Sequence, residues 1–141
     1  MLSLTHLGIE IALVAAECTQ PGWDGPGSLP VGKQQWVDAW TLAVALEEID
    51  HSLPQPIPGA DVDGSTWLTY ERGESRIQIN IRSDMSKKAI GWRSFREGFD
   101  RTHECDAARD YADKNMPLIV PRDLIEGIRA TFSAATVTHA A

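Results

Sequence analysis

The chain has 141 residues, 43% of them hydrophobic and 23% charged, which is the size and composition of one globular domain and excludes wholesale disorder. Its net charge of −7 argues against a free-standing nucleic-acid binder. Two cysteines, Cys18 and Cys105, lie far apart without CxxC spacing, which excludes a disulfide framework or a self-sufficient zinc knuckle and suits a reducing cytoplasm.

The charge is uneven. Residues 1–71 hold ten acids against one base, Lys33, whereas residues 72–101 hold eight bases against four acids. Such asymmetry either steers a charged partner or lets the two parts face each other in the fold. The apolar run from Leu2 to Ala16 has no Lys or Arg ahead of it and carries Glu10 in its middle, so neither export nor membrane insertion is expected.

From Ser3 to about Thr19, Leu4, Leu7, Ile11, Val14 and Cys18 recur at helical spacing, with Ser3 as N-cap. The polar side is narrow, so this helix should be mostly buried or lie in a subunit contact. The loop Gly22-Trp23-Asp24-Gly25-Pro26-Gly27-Ser28-Leu29-Pro30 cannot continue it, since its glycines permit positive φ and its prolines fix φ. The expectation is that Trp23 plugs into the core between the flanking helices, with Asp24 capping its own turn through its carboxylate. A second helix follows from about Lys33 to Ser52, with Trp36, Val37, Trp40 and Val44 on one face and Leu42, Leu46, Ile49 and Leu53 on nearly the opposite one. It is either sandwiched between layers or lends a face to a partner.

Pro54 to Gly59 reads as an extended, polyproline-like connector, and Asp61 to Gly64 as a turn. A hairpin comes next: Thr66–Glu71, a turn at 72–75, and Arg76–Arg82 in strict period-two alternation with Ile77, Ile79 and Ile81 inward. Arg76, Gln78, Asn80 and Arg82 then form a wet face. Residues 83–103 fit a helix capped at Ser83-Asp84, with Met85, Trp92, Phe95 and Phe99 on one face, but Gly91 and Gly98 oppose it and a short strand at Ala89–Arg93 competes. Further helices are expected at about Glu104 to Lys114 and from Pro121 to Ala135, the latter with Leu124, Ile125, Ile128 and Phe132 on one face; Leu118 to Val120 is extended, and residues 136–141 fray. The fold class is therefore α+β, a single domain over 1–141: a helix-loop-helix unit packed on a small antiparallel hairpin (1–82), then a helical extension (83–135).

The loop Trp23-Asp24-Gly25-Pro26-Gly27-Ser28-Leu29-Pro30, a helix on each side, the proline-spaced connector and Asp63-Gly64-Ser65-Thr66-Trp67 together resemble small uncharacterised bacterial and phage proteins with a WDG-x-G-A-x-P loop and a DG…W hairpin. The likeness covers about residues 8–82, and Ser28 stands where Ala is usual. It implies an α+β fold, no assigned activity, and an origin in a phage or mobile element, where small acidic proteins often block host machinery.

The residues offer little chemistry. His103-Glu104-Cys105-Asp106 is the densest metal-capable cluster, yet it lacks the i, i+4 pair a helix face would need and reads as a helix N-terminus. Cys18 reads as a small buried hydrophobe, and His51 as a partner of helix-end carbonyls. There is no phosphate loop, GxSxG or HExxH. No catalytic, cofactor or metal residue is assigned. The expectation is a non-catalytic, cytoplasmic interaction module that binds and inhibits a host protein complex, as an anti-defence or anti-CRISPR-type inhibitor does, with a homodimer as a further expectation. Candidate partner-binding residues are Asp38, Glu47, Glu48, Asp50, Asp61 and Asp63; Trp23, Asp24, Gly25, Trp36, Trp40 and Trp67 are structural. The alternative is a nucleic-acid-binding regulator using Arg82, Lys87, Lys88, Arg93, Arg96 and Arg101, bases interleaved with Trp92, Phe95 and Phe99.

Overall fold

The computed structural model describes residues 2–83, 88–96, 99–105, 120 and 122–140. In chain order the elements are α1 (Leu4–Glu17), α2 (Lys33–Ile49), β1 (Ile57–Ala60), β2 (Thr66–Arg72), β3 (Ser75–Ser83), β4 (Lys88–Arg96), β5 (Phe99–Cys105) and α3 (Arg122–Ala140). The five strands form one antiparallel meander in sequence order. This is the α+β class, with a C-terminal helix.

The hairpin forms where alternation places it. Arg72 pairs with Ser75, leaving a two-residue loop in which Gly73 takes φ 58°, the positive value such a turn needs at its first position. Ile77, Ile79 and Ile81 are all buried. In the cross-strand rows Leu68–Ile79–Trp92 and Ile81–Ile90, every residue belongs to one core cluster. That cluster also takes Leu7 from α1, Ala39, Leu42, Ala43 and Leu46 from α2, and Leu124, Ile128 and Phe132 from α3. All three helices therefore cover the same face: α1 packs along β1, α2 on β2 and β3, and α3 on β3 and β4.

Several expectations change. Residues 88–96 and 99–105 are strands, so the helix over 83–103 gives way to its strand alternative in the described part. Once Ile81 and Ile79 offer partners to Ile90 and Trp92, period two wins over the 3.6 spacing, and Gly91 is carried in the strand opposite Asn80. Glu104 and Cys105 end β5 and start no helix; the remainder of that expected helix, 106–114, lies outside the described residues. The connector is shorter than expected because Ile57–Ala60 joins the sheet. Pro58, without an N–H, is tolerated there because β1 is an edge. The last helix continues to Ala140, past the expected fray at 136.

Ser3 caps α1 as expected, its side chain accepting from the His6 N–H at 3.2 Å. Burial of α1 is less than expected: Leu7 is its one fully buried residue, while Ile9 and Leu13 are 57% and 65% exposed. Trp36 is buried and Trp40 packs against the core margin, so α2 is held between the sheet and the α1 side.

Trp23 is half-buried. It packs against a smaller cluster of Cys18, Val31 and Trp36, separate from the main core, and its indole Nε1 donates to the Leu29 carbonyl at 2.7 Å. The loop is stitched to its surroundings by Val31 N–H to the Cys18 carbonyl and Leu29 N–H to the Val62 carbonyl. Ser28, 4% exposed, supplies the internal wiring expected of the Asp24 carboxylate. Its hydroxyl accepts from the Asp24 N–H at 3.2 Å and donates to the Gly25 carbonyl at 2.6 Å.

Candidate interaction surfaces

Of the six candidate acids, one is buried and four others accept hydrogen bonds from nearby groups. Asp38 is 3% exposed and accepts from Gln34 Nε2 at 3.0 Å, which removes it from any docking surface. Glu47 is tucked against the chain start, accepting from the Leu2 N–H at 3.3 Å, with His51 Nδ1 at 3.6 Å. Asp50 builds the turn after α2 by accepting from both the N–H and the hydroxyl of Ser52, at 2.9 and 2.6 Å. Those bonds hold its carboxyl below the usual range; burial opposes them, and the positive fields of Arg72 and Arg129 add smaller lowering effects. Asp61 and Asp63 shape the β1–β2 turn, accepting from Val62 N–H and from Ser65 respectively. Glu48 alone of the six is an exposed acid outside such a contact in its own turn.

The bases divide as well. Arg82 and Arg93 fall in the register set of Arg76 and Phe95, whereas Lys88, Arg96 and Arg101 fall in the set of Ile90 and Trp92; Lys87 lies outside the described residues. On the sheet face opposite the three helices, the Arg76 guanidinium carbon sits 4.2 Å and that of Arg93 4.6 Å from the Phe95 ring centre, so one aromatic ring carries two cations. Arg76 also approaches Glu71 at 3.9 Å. Gln78 and Asn80 occupy the middle of this face, half-buried. At its β1 margin the Trp67 indole lies flat across Gly59, where a Cβ would come within 1.9 Å of the ring. The wet face of β3 was legible from alternation; the approach of Phe95 and Arg93 to Arg76 was not, because it depends on the β3–β4 register.

Chemically reactive groups are sparse. Cys18 is 1% exposed, and burial first, then Glu17 and Asp24, push its thiol pKa up, which makes it a poor nucleophile. Among the described residues, no three His, Cys, Asp or Glu side chains gather as a metal site would require. His103 and Glu104 sit in β5 opposite Trp92 and Gly91, and Asp106 lies outside the described residues. A water-sized depression between α2 and α3 is lined by Leu46, Ile49, Leu53, Ile125 and Ile128, with Asp50 and Arg129 at its edge. It is an apolar seam between helices. Among the described residues, no helix is long and apolar enough to cross a membrane. Compared with family models, with curated proteins and with solved structures, the chain matches none.

Proposed function

We propose that this protein is a non-catalytic binding module that works by contact, with a partner protein and with itself, and that the sheet face opposite the helices is where the partner protein docks. The observation that carries this reading is the one-sided layering: the helices cover one face, and the other presents Trp67, Arg76, Arg93 and Phe95 around Gln78 and Asn80. Trp, Arg and aromatic side chains are the types that anchor protein interfaces, and flat rings on a rigid sheet lose little entropy on binding. The resemblance of the Trp23 loop extends the proposal to a phage or mobile-element origin and to a host protein complex as the target, with inhibition or modulation as the outcome. Capture from host lysate tests it. The wild type should retain a defined partner that the Arg93→Ala, Phe95→Ala double variant loses while keeping its circular dichroism; capture of no specific partner overturns the reading.

One observation favours a second reading, in which the same face binds single-stranded nucleic acid. Two guanidinium groups and a ring within stacking distance are suited to phosphates and unpaired bases. Oligonucleotide binding by fluorescence anisotropy should then be strong at low salt, fall steeply as salt rises, and drop for Arg93→Ala. Absence of a complex at low salt removes this alternative.

A further inference from the structure

We propose that the outward face of α1 docks a partner of opposite charge: a cationic amphipathic helix whose apolar stripe lies on Ile9 and Leu13 and whose lysines or arginines lie beside Glu10 and Glu17. This surface is separate from the sheet face and goes beyond the reading above.

The outward face is apolar and has few large side chains. At 100° per residue, Ile9, Leu13, Ala16, Thr5 and Ala12 share one arc of α1, all of them exposed. Leu7, which points the other way, is fully buried, and neither core cluster takes Ile9 or Leu13. Those two stand one turn apart, the spacing at which a helical partner seats its own large side chains, and the small residues beside them let its backbone come close.

Charge decides what covers this arc. His6, Glu10 and Glu17 line one margin, and the His6 imidazole Nε2 lies 2.5 Å from the Glu10 carboxylate. Glu17 has no such contact among the described residues, and α1 carries no Lys or Arg. As the last residue of α1 it sits where the helix dipole is already negative, with no base in the last turn, so its carboxylate works against its own helix. Burial first, then Glu17 and Asp24, push up the pKa of the Cys18 thiol at the same helix end, which puts a second carboxylate within electrostatic reach of it. A cation from outside relieves this repulsion, and nothing in the helix does. A second copy would bring its own Glu10 and Glu17 to the margin, and the phosphates of a lipid surface or a nucleic acid would add negative charge. An uncharged apolar segment would cover Ile9 and Leu13 and leave the acids as they are; a cationic amphipathic helix answers both. The 14-residue helix is about 21 Å long, so the contact is small and the complex weak, transient and sensitive to salt.

Fluorescence anisotropy at low salt with two synthetic helical peptides of about five turns tests this. One is built of Leu, Ala and Lys with the lysines along one margin of its leucine stripe, and the other has Glu for each Lys. The wild type should bind the lysine peptide at least about tenfold more tightly than the glutamate peptide, and salt should weaken that binding. Ile9→Ser with Leu13→Ser should weaken it by at least about tenfold. Glu10→Lys with Glu17→Lys should also weaken it and should let the glutamate peptide bind, a gain that attraction to acids elsewhere in the chain does not produce. Both double variants should keep the wild-type thermal transition, since these side chains lie outside the core. A lysine peptide that binds both variants as it binds the wild type overturns the proposal, as does a charge-reversed variant that fails to capture the glutamate peptide. Self-association of the wild type, or binding to phosphatidylserine vesicles, that the Ile9, Leu13 variant abolishes overturns it in favour of a second copy or a lipid surface. The Arg93→Ala, Phe95→Ala variant should bind the lysine peptide as the wild type does, whether or not the sheet face captures its own partner.

Discussion

Asp50 illustrates how a surface acid in the sequence becomes a structural group. Its carboxylate closes the turn after α2 on Ser52, and its pKa is depressed by those hydrogen bonds, with Arg72 and Arg129 adding to them. A carboxyl depressed by folding contributes stability that is fully present above the unfolded value of about 3.9 and is lost as pH falls through the depressed native value. Asp50→Ala should therefore be less stable than the wild type at pH 7, by about 0.5–1 kcal/mol, since water screens a partly exposed carboxylate. The gap should close as pH falls below about 4, as followed by urea denaturation. A gap that stays unchanged however far the pH is lowered would show that the charge is not what matters. At this scale the sequence was least legible: Asp38 and Asp50 both read as acids on a helix face, yet one is buried beside Gln34 and the other caps a turn. Which acids stay in water depends on what packs over α2, and composition does not encode that. Ser28 is a similar case, since its hydroxyl does the work expected of Asp24 only because the loop buries it.

At the scale of elements, legibility followed locality. The β2–β3 hairpin needs only its own alternation and Gly73, so its strands and inward isoleucines were readable to within a residue or two. Strand β4 was ambiguous because Trp92, Phe95 and Phe99 satisfy a helical period while Ile90 and Trp92 satisfy a strand period. The tie is broken by β3, which no local window contains. Strand β1 was hidden by its prolines and becomes a strand only at the edge of a sheet already built. One of its cross-strand pairs seats the Trp67 indole on Gly59. Gly59→Ala puts a methyl where the ring lies and should cost about 1–3 kcal/mol. In a Trp67→Ala background the same substitution should cost much less, because the clash is gone. Equal losses in the two backgrounds, measured by chemical denaturation, would mean that the cost does not come from the contact with the ring.

For the whole molecule, the sequence suggests a helix-loop-helix-hairpin unit over 1–82 with an appended extension, while the main core cluster draws on both parts. Strand β3 is central, paired on one side with β2 and on the other with β4, and its three isoleucines are covered by α2 and α3 together. The basic stretch also meets the acidic one within the fold: Arg76 approaches Glu71, and Arg72 acts on Asp50, so part of the charge asymmetry is spent internally. Cutting the chain after Ser83 would strip Ile90, Trp92, Leu124, Ile128 and Phe132 from the cluster and leave β3 as a bare edge. A short chain already buries a smaller fraction of its surface than a long one, so losing five large core residues should leave too little to oppose conformational entropy. The 1–83 fragment should show no cooperative thermal transition and should bind a hydrophobic dye, whereas the full chain unfolds in one step. A fragment that melted cooperatively, with the isoleucine methyls of β3 still dispersed in its NMR spectrum, would restore the two-part description. It would also make β4, β5 and α3 a removable layer, so that Arg93 and Phe95 could be deleted from the docking face without unfolding the rest.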